Sequence, residues 1–528
     1  MRKNVKQQLA LRVLSTAALM AMVSSIATAA FADTYDLNTG SVTVKTKDDG
    51  ITYVTQENTE ITDHPDDTGV TITSNGKKTE NTITVETAKD QTTDVTLENV
   101  HIEVDTSKAK SGAIEIKGDG DTNLELNGNN TVLTENRWRE GHAAIEKADK
   151  YGKEGTLTIK DDVNDDGSKK GTDKDTTGTL LAGGDLMAAA IGGGNGEDLR
   201  DTSNITITGG KITAIGGNDG AAAIGGGYNG TGKNIRIKGN ADVIAVAGEG
   251  AAIGGGTGSG NSVTITDDAV VKAYSAYDAA IGGGDSEGHL NSPSTITISG
   301  NATVHAETSL GGCAIGSGRY GSCSDLTINI EKNANVTAIG SHDAPAIGNC
   351  AGTYGTTTIN ITGGTVNAIN SVDSEYGSND GIGDHSPAIG ATIVPERGGA
   401  CNVNINSSTG DTVVNAYIYK KGSGPAVGST TETPRYNPYN IEYQYVPADS
   451  VSYHADGSSH FGESNSAIVN CYNNGTVKKE ELDLPDTNDP AAMGNIPSYR
   501  HTIKGGTLTK VVTTASTWRR TPTSTPAT

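Results

Sequence analysis

The triplet Ala-Ile-Gly recurs along this chain at nearly constant spacing, and no other feature restricts the possible folds as much. "AAAIGGGNG" begins at Ala188, "AAAIGGGYNG" at Ala221, "AAIGGGTGSG" at Ala251 and "AAIGGGDSEG" at Ala279. "CAIGSG" at Cys313, "PAIGNC" at Pro345, "PAIGAT" at Pro387 and "PAVGST" at Pro425 continue the series. With the central residue as marker, Ile191, Ile224, Ile253, Ile281, Ile315 and Ile347 follow one another at steps of 28 to 34 residues. Ile389 and Val427 come after longer steps, and two weaker copies, "GAIEIK" around Ile114 and "AAIEKA" around Ile145, precede the series. Every marker is preceded by Ala. A period of this length is the signature of a stacked repeat.

Each full repeat carries two further short segments. The first alternates strictly: "ITIT" at Ile205, "IRIK" at Ile235, "VTIT" at Val263, "ITIS" at Ile296, "INIE" at Ile328, "INIT" at Ile359 and "VNIN" at Val403. Period two makes these half-buried strands, with Ile207, Ile237, Ile265, Ile298, Ile330, Ile361 and Ile405 inward. Thr206, Arg236, Thr264, Thr297, Asn329, Asn360 and Asn404 then form an outward column. The second segment reads Val/Ile-x-Ala, from Ile212 and Ala214 to Val414 and Ala416. Between the two lie "GG" turns or one-residue-longer turns such as "GNAD" and "KNAN", rich in residues that tolerate a left-handed backbone. Three short strands cannot bury a hydrophobic face alone, but stacked coils can. The expectation is an all-β, single-stranded parallel β-helix of about ten coils, right-handed by the preference of parallel crossovers. At about 4.8 Å per coil its rod would be roughly 45–50 Å long.

The glycines of "IGGG" could instead be a phosphate loop. That chemistry needs a helix N-terminus behind the loop and usually a Lys. Here another strand follows and no Lys stands at the required position, so they read as turn glycines.

Arg2, Lys3, Lys6 and Arg12 precede an apolar run ending in Ala30-Phe31-Ala32, the order of a secretory signal; the alternative is a retained membrane anchor. The expected mature chain starts at Asp33 and is secreted, extracellular or at the cell surface, with no integral membrane segment after cleavage. The net charge of −23, without a basic cluster to offset it, argues against nucleic acid as a partner. The expected organisation is a signal peptide (1–32), a cap with the first coil (33–90), β-helix repeats (91–430), a Tyr-rich C-terminal cap or accessory segment (431–514) and a disordered Thr/Pro-rich tail (515–528).

Stretches such as "ITITGGKITAIGGNDGAAAIGGG" resemble the pectin-lyase-like parallel β-helix superfamily, and within it adhesin-like or carbohydrate-binding repeat proteins secreted by gut bacteria. The resemblance covers about residues 90–430. It implies an extracellular location and a polysaccharide- or host-facing surface. It also raises the polysaccharide lyases and hydrolases of that superfamily. Polygalacturonase-like enzymes use clustered aspartates, a Gly-His-Gly and an Arg-x-Lys. Arg236-Ile237-Lys238 matches the last, but Arg236 belongs to a Thr/Asn column and His142 is followed by Ala143. Stacked carboxylates are missing from the outward columns of the two alternating segments, His305 reads as a lone solvated residue, and the histidines lack zinc-ligand spacing. No catalytic residue and no required cofactor is therefore expected.

Three candidate sites remain. "DVNDDGSKKGTD" places Asp162, Asn164, Asp166 and Asp173 at the spacing of a Ca²⁺ loop, in the long step between Ile145 and Ile191. It resembles a dockerin loop without the helix or the second copy; the alternative is a solvated acidic loop. Nine of the eighteen tyrosines lie between Tyr417 and Tyr499. Tyr417 with Tyr419, and Tyr443 with Tyr445, share strand faces and could stack on sugar rings, or else cap the open end of the coil stack. Cys323 and Cys350 occupy corresponding loops and could form a disulfide, while Cys313 takes a position held elsewhere by Ala and reads as a small apolar filler. The sequence thus points to a non-catalytic, exported β-helix that binds polysaccharide or a host or bacterial surface glycan. A polysaccharide lyase or hydrolase and a purely structural surface spacer are the alternatives.

Overall fold

The computed structural model describes most of residues 33–435; beyond 435 it describes five short strands. The larger stretches outside the description before 435 are 1–32, 136–140, 162–177, 285–293, 319–324, 371–385, 394–399, 406–411 and 419–426.

Each coil runs through three strands in turn, and each strand pairs in parallel with its equivalent in the next coil. The alternating segments form a twelve-stranded sheet, the Val-x-Ala segments a thirteen-stranded sheet and the marker segments a fifteen-stranded sheet. Register follows the repeat residue for residue. Ile205 pairs with Ile235, then Val263, Ile296, Ile328, Ile359 and Val403. Ala214, Ala245, Ala273, Ala306, Ala338, Ala368 and Ala416 form a second column. The markers form the third, from Ile114 through Ile145 and Ile191 to Ile389 and Val427. Seven markers, Ile191 to Ile389, carry Ala-Ile-Gly and define the regular turns; the expected ten include the divergent coils of Ile114, Ile145 and Val427.

Inward side chains of all three sheets merge into one continuous core from Tyr35 to Val427. Marker isoleucines and their preceding alanines are completely buried. Burying each Ile stabilises the fold by about 1.5–3 kcal/mol, so the column is a main source of cohesion between coils. The turns between alternating and Val-x-Ala strands contain one left-handed residue each: Gly210 and Gly364 in the "GG" type, and Gly239, Asp267, Gly300 and Lys332 in the longer type.

The marker glycines do something else. Gly192, Gly225, Gly254, Gly282, Gly316, Gly348 and Gly390 all have φ between +139° and +147°. A Cβ on any of the first six would collide with the carbonyl oxygen of the next glycine in the column. That carbonyl is occupied: Gly193, Gly226, Gly255 and Gly283 each donate an N–H to the marker glycine of the following coil at 2.9–3.0 Å. The glycine run is thus a close-packed backbone ladder, and its position requires the absence of a side chain.

Antiparallel strands flank the parallel marker sheet. Val42–Thr46 pairs with Thr52–Gln56, which pairs with Thr59–His64, and at the other end Val427–Arg435 pairs with Glu442–Pro447. Ala515–Trp518 is a strand antiparallel to Ile468–Asn473, and the pairing covers the free edge of that strand. Among the described residues no helix is long and apolar enough to cross a membrane.

Candidate functional site

In two coils the residue after the marker is glutamate instead of glycine. Glu115 and Glu146 are ladder partners, with Thr84 before them and Gly192 after them in the same column. Neither has a positive φ, so this end of the marker sheet admits side chains. Both nevertheless lie buried: the Glu115 side chain is 8% exposed and that of Glu146 0%. His142, in the turn entering the second of these coils, places Nδ1 2.8 Å from Glu146 Oε2. The Ala143 N–H donates to the same oxygen at 3.1 Å. Thr134 Oγ1 donates to the His142 carbonyl at 2.9 Å and fixes the turn.

Lys117, two residues beyond Glu115 on the same strand, reaches Glu115 Oε2 at 2.8 Å, and its Nζ lies 4.8 Å from the centre of the Tyr151 ring. Asp185, also buried, accepts from Thr106 Oγ1 at 2.7 Å. Lys147 is buried beside the cluster and donates to the Gly152 carbonyl at 3.3 Å.

The electrostatics follow from this packing. Burial disfavours the charged form of His142, but the hydrogen bond to Glu146 and the charges of Glu146, Glu115 and Asp185 outweigh it and hold the imidazole pKa above its ordinary value. Burial pushes the Lys147 pKa down against the opposing pull of Asp149, Asp119 and Asp121. Tyr151 is pushed up to about 12, first by burial and then by the charges of Glu146 and Glu115.

One donor atom from each of Glu115, His142 and Glu146 falls within 4.8 Å of the others. Glu146 Oε1 is buried with no hydrogen-bond partner. An imidazole with two carboxylates is a mixed N/O donor set of the kind divalent cations accept. The absence of stacked carboxylates held only for the columns considered in the sequence; the marker column supplies a stacked pair. The available signal was Glu in place of Gly after both early markers, with His142 three residues before Ile145.

The residues singled out in the sequence have different fates. Asp162, Asn164, Asp166 and Asp173 lie outside the described residues. Tyr419 and Cys323 do too. Tyr417 pairs with Ile369 and Tyr472 on the Val-x-Ala sheet, whereas Tyr443 and Tyr445 lie opposite Pro434 and Glu432 on the marker sheet. Cys350 meets Cys313, with the two sulfurs 3.1 Å apart and both residues buried. His305 is not solvated: its side chain is 15% exposed, Nε2 lies 3.4 Å from Glu307 Oε2, and its ring is tilted against Tyr274 at 5.5 Å.

The outward column of the alternating sheet is continuous. Arg236 stands exposed between Thr206 and Thr264, as the sequence register requires. Farther along, the Asn360 side-chain amide donates to Asn329 Oδ1, and that of Asn404 to Asn360 Oδ1, both at 2.9 Å. Asn415 donates to Asn367 in the same way on the Val-x-Ala sheet.

Among curated proteins and solved structures, none matches the chain. Residues 205–228, 296–319 and 359–385 match the β-helix repeat family. Each matched stretch begins on an alternating strand and continues into the Val-x-Ala strand. Together with the stacked parallel coils, these matches fit a pectin-lyase-like parallel β-helix protein.

Proposed function

We propose that the chain is an exported, non-catalytic β-helix protein that binds a polymeric carbohydrate or a glycan-bearing surface. The observation that carries this reading is the outward Thr/Asn column of the alternating sheet, presented at one residue per coil in unbroken register. Inter-strand spacing of about 4.8 Å turns the column beyond Arg236, from Thr264 to Asn404, into a regular row of hydroxyl and amide groups. In the Asn329–Asn360–Asn404 ladder the amides of Asn360 and Asn404 each use one N–H on the neighbouring side chain. Each has a second N–H to offer a ligand. Contacts repeated over several coils add as linked weak sites do, so affinity grows with polymer length.

Pull-down of mucin and screening on a glycan array test the proposal. Binding should weaken when Thr297, Asn329 and Asn360 are replaced together by alanine, and absence of binding on both platforms would overturn the reading. A polysaccharide lyase or hydrolase is the second reading, favoured by the paired Glu115 and Glu146 beside His142 and Tyr151. The complete burial of the Glu146 side chain weighs against it, because an acid or base must reach the proton it transfers. Incubation with uronic-acid polymers, followed by assay for unsaturated products and new reducing ends, separates the two.

A further inference from the structure

We propose that Glu115, His142 and Glu146 form a binding site for a divalent transition-metal cation, with Zn²⁺ the preferred occupant, that ties two adjacent coils together. The three donors arrive from separate places: Glu115 from one coil, Glu146 from the next, and His142 from the turn between them. Their ligand atoms already lie within 4.8 Å of one another. Without a cation, one oxygen of a fully buried carboxylate is left with no partner. Buried carboxylates are retained when they are paired or bound to a metal. Here His142 serves one oxygen of Glu146 and Lys117 serves Glu115, and the second oxygen of Glu146 stays unserved.

The donor chemistry selects among cations. Ca²⁺ takes six to eight oxygen ligands and Mg²⁺ keeps several waters, which a cluster this enclosed does not offer. Imidazole nitrogen with carboxylate oxygen suits Zn²⁺ or Mn²⁺, and affinity for such a set favours Zn²⁺ over Mn²⁺. Three protein ligands, with water completing the shell, meet the low coordination number of zinc. The acidic 162–173 stretch offers, by its sequence, only oxygen donors of the kind that suit Ca²⁺.

The test uses the full-length chain, made without a histidine tag and stripped with EDTA. ZnCl₂, MnCl₂ and CaCl₂ are titrated by calorimetry and by thermal unfolding. About one equivalent of Zn²⁺ should bind and raise Tm, and Glu146→Gln and His142→Gln should each weaken binding at least about tenfold. Circular dichroism confirms that the variants fold, and Glu115→Gln provides a further conservative probe should either fail. Absence of a Zn²⁺ or Mn²⁺ response in the wild-type chain overturns the proposal. A response lost in Asp166→Asn but kept in Glu146→Gln overturns it as well, by moving the ion to the acidic loop.

A separate observation concerns the cysteines. We infer that Cys313 and Cys350 are partners in a disulfide that joins successive coils. Their sulfurs are already in contact at 3.1 Å in a buried cluster with Ala344. Closing the bridge removes two protons and two electrons from the thiols. A disulfide-class oxidant, such as an oxidised thiol oxidoreductase acting during folding, would accept them and be reduced to two thiols. Peptide mapping under non-reducing conditions, after refolding with oxidised glutathione, should recover a Cys313–Cys350 linked peptide. A Cys323–Cys350 link, or free thiols at 313 and 350, would overturn the assignment.

Discussion

Two stretches of the marker sheet solve the same position differently. From Gly192 to Gly390 the residue after the marker is glycine with φ near +140°, and from Gly192 to Gly348 backbone packs on backbone with no room for a side chain. At Glu115 and Glu146 the same column has no positive φ and holds two buried carboxylates, a histidine and a lysine contact. The first solution is repetitive and close-packed; the second is polar and local. A single column in a solenoid can thus be a uniform spacer in one part and a buried polar cluster in another, without loss of register.

The comparison can be broken most sharply at Gly254. Gly254→Ala puts a Cβ into the Gly282 carbonyl and into a strained backbone, and should cost about 4 kcal/mol or more in urea unfolding. Gly196→Ala is the control: φ is again positive, at +131°, but nothing lies within 4 Å of the added atom. That change should cost only the backbone strain, about 1–3 kcal/mol. Equal losses for the two variants would refute the ladder account.

On the polar side, Glu146→Ala leaves His142 and its neighbours without the carboxylate that holds them. A loss of about 3 kcal/mol at neutral pH is expected, as for removal of one partner of a buried ion pair. Glu146→Gly should not rescue the loss, because this coil lacks the backbone conformation that makes glycine favourable in the regular turns.

A smaller effect is expected at alkaline pH. The folded chain raises the Tyr151 pKa to about 12, above the unfolded value of about 10. Its contribution is therefore complete below pH about 10 and disappears as pH rises through about 12. Tyr151→Phe should flatten the stability profile across that window, measured by thermal melting at fixed ionic strength. The smallest effect belongs to the outward column: Thr264→Ala should change stability by no more than about 0.5 kcal/mol, while still serving as a probe of ligand binding.

Most of the coil architecture was legible because the same residues recur at the same positions. Ile205, Ile235 and Val263 alternate with polar neighbours, and parallel pairing of like with like requires only that this alternation be stacked. The polar pocket was harder to see. Its parts lie on one strand, the next strand and the turn between them, and only the register that aligns Glu115 with Glu146 brings them together. Cys350 lies within the marker strand Ile347–Thr353 and meets Cys313, a residue that replaces an inward alanine, whereas Cys323 lies outside the described residues. The C-terminal tyrosines lack a repeating frame, and Tyr417 lies on the Val-x-Ala sheet while Tyr443 and Tyr445 lie on the marker sheet.

The ladder of identical contacts has a consequence for how such a molecule can change in size. Because each regular coil presents to its neighbours nearly the same surfaces that it receives from them, the rod behaves as a sum of interchangeable units with nearest-neighbour coupling. Removing the segment from one marker to the next, residues 224–252, would rejoin equivalent ends and shorten the rod by a single 4.8 Å increment. Length is then a nearly continuous variable for such a protein, open to duplication and deletion, while the pocket at its early coils stays untouched.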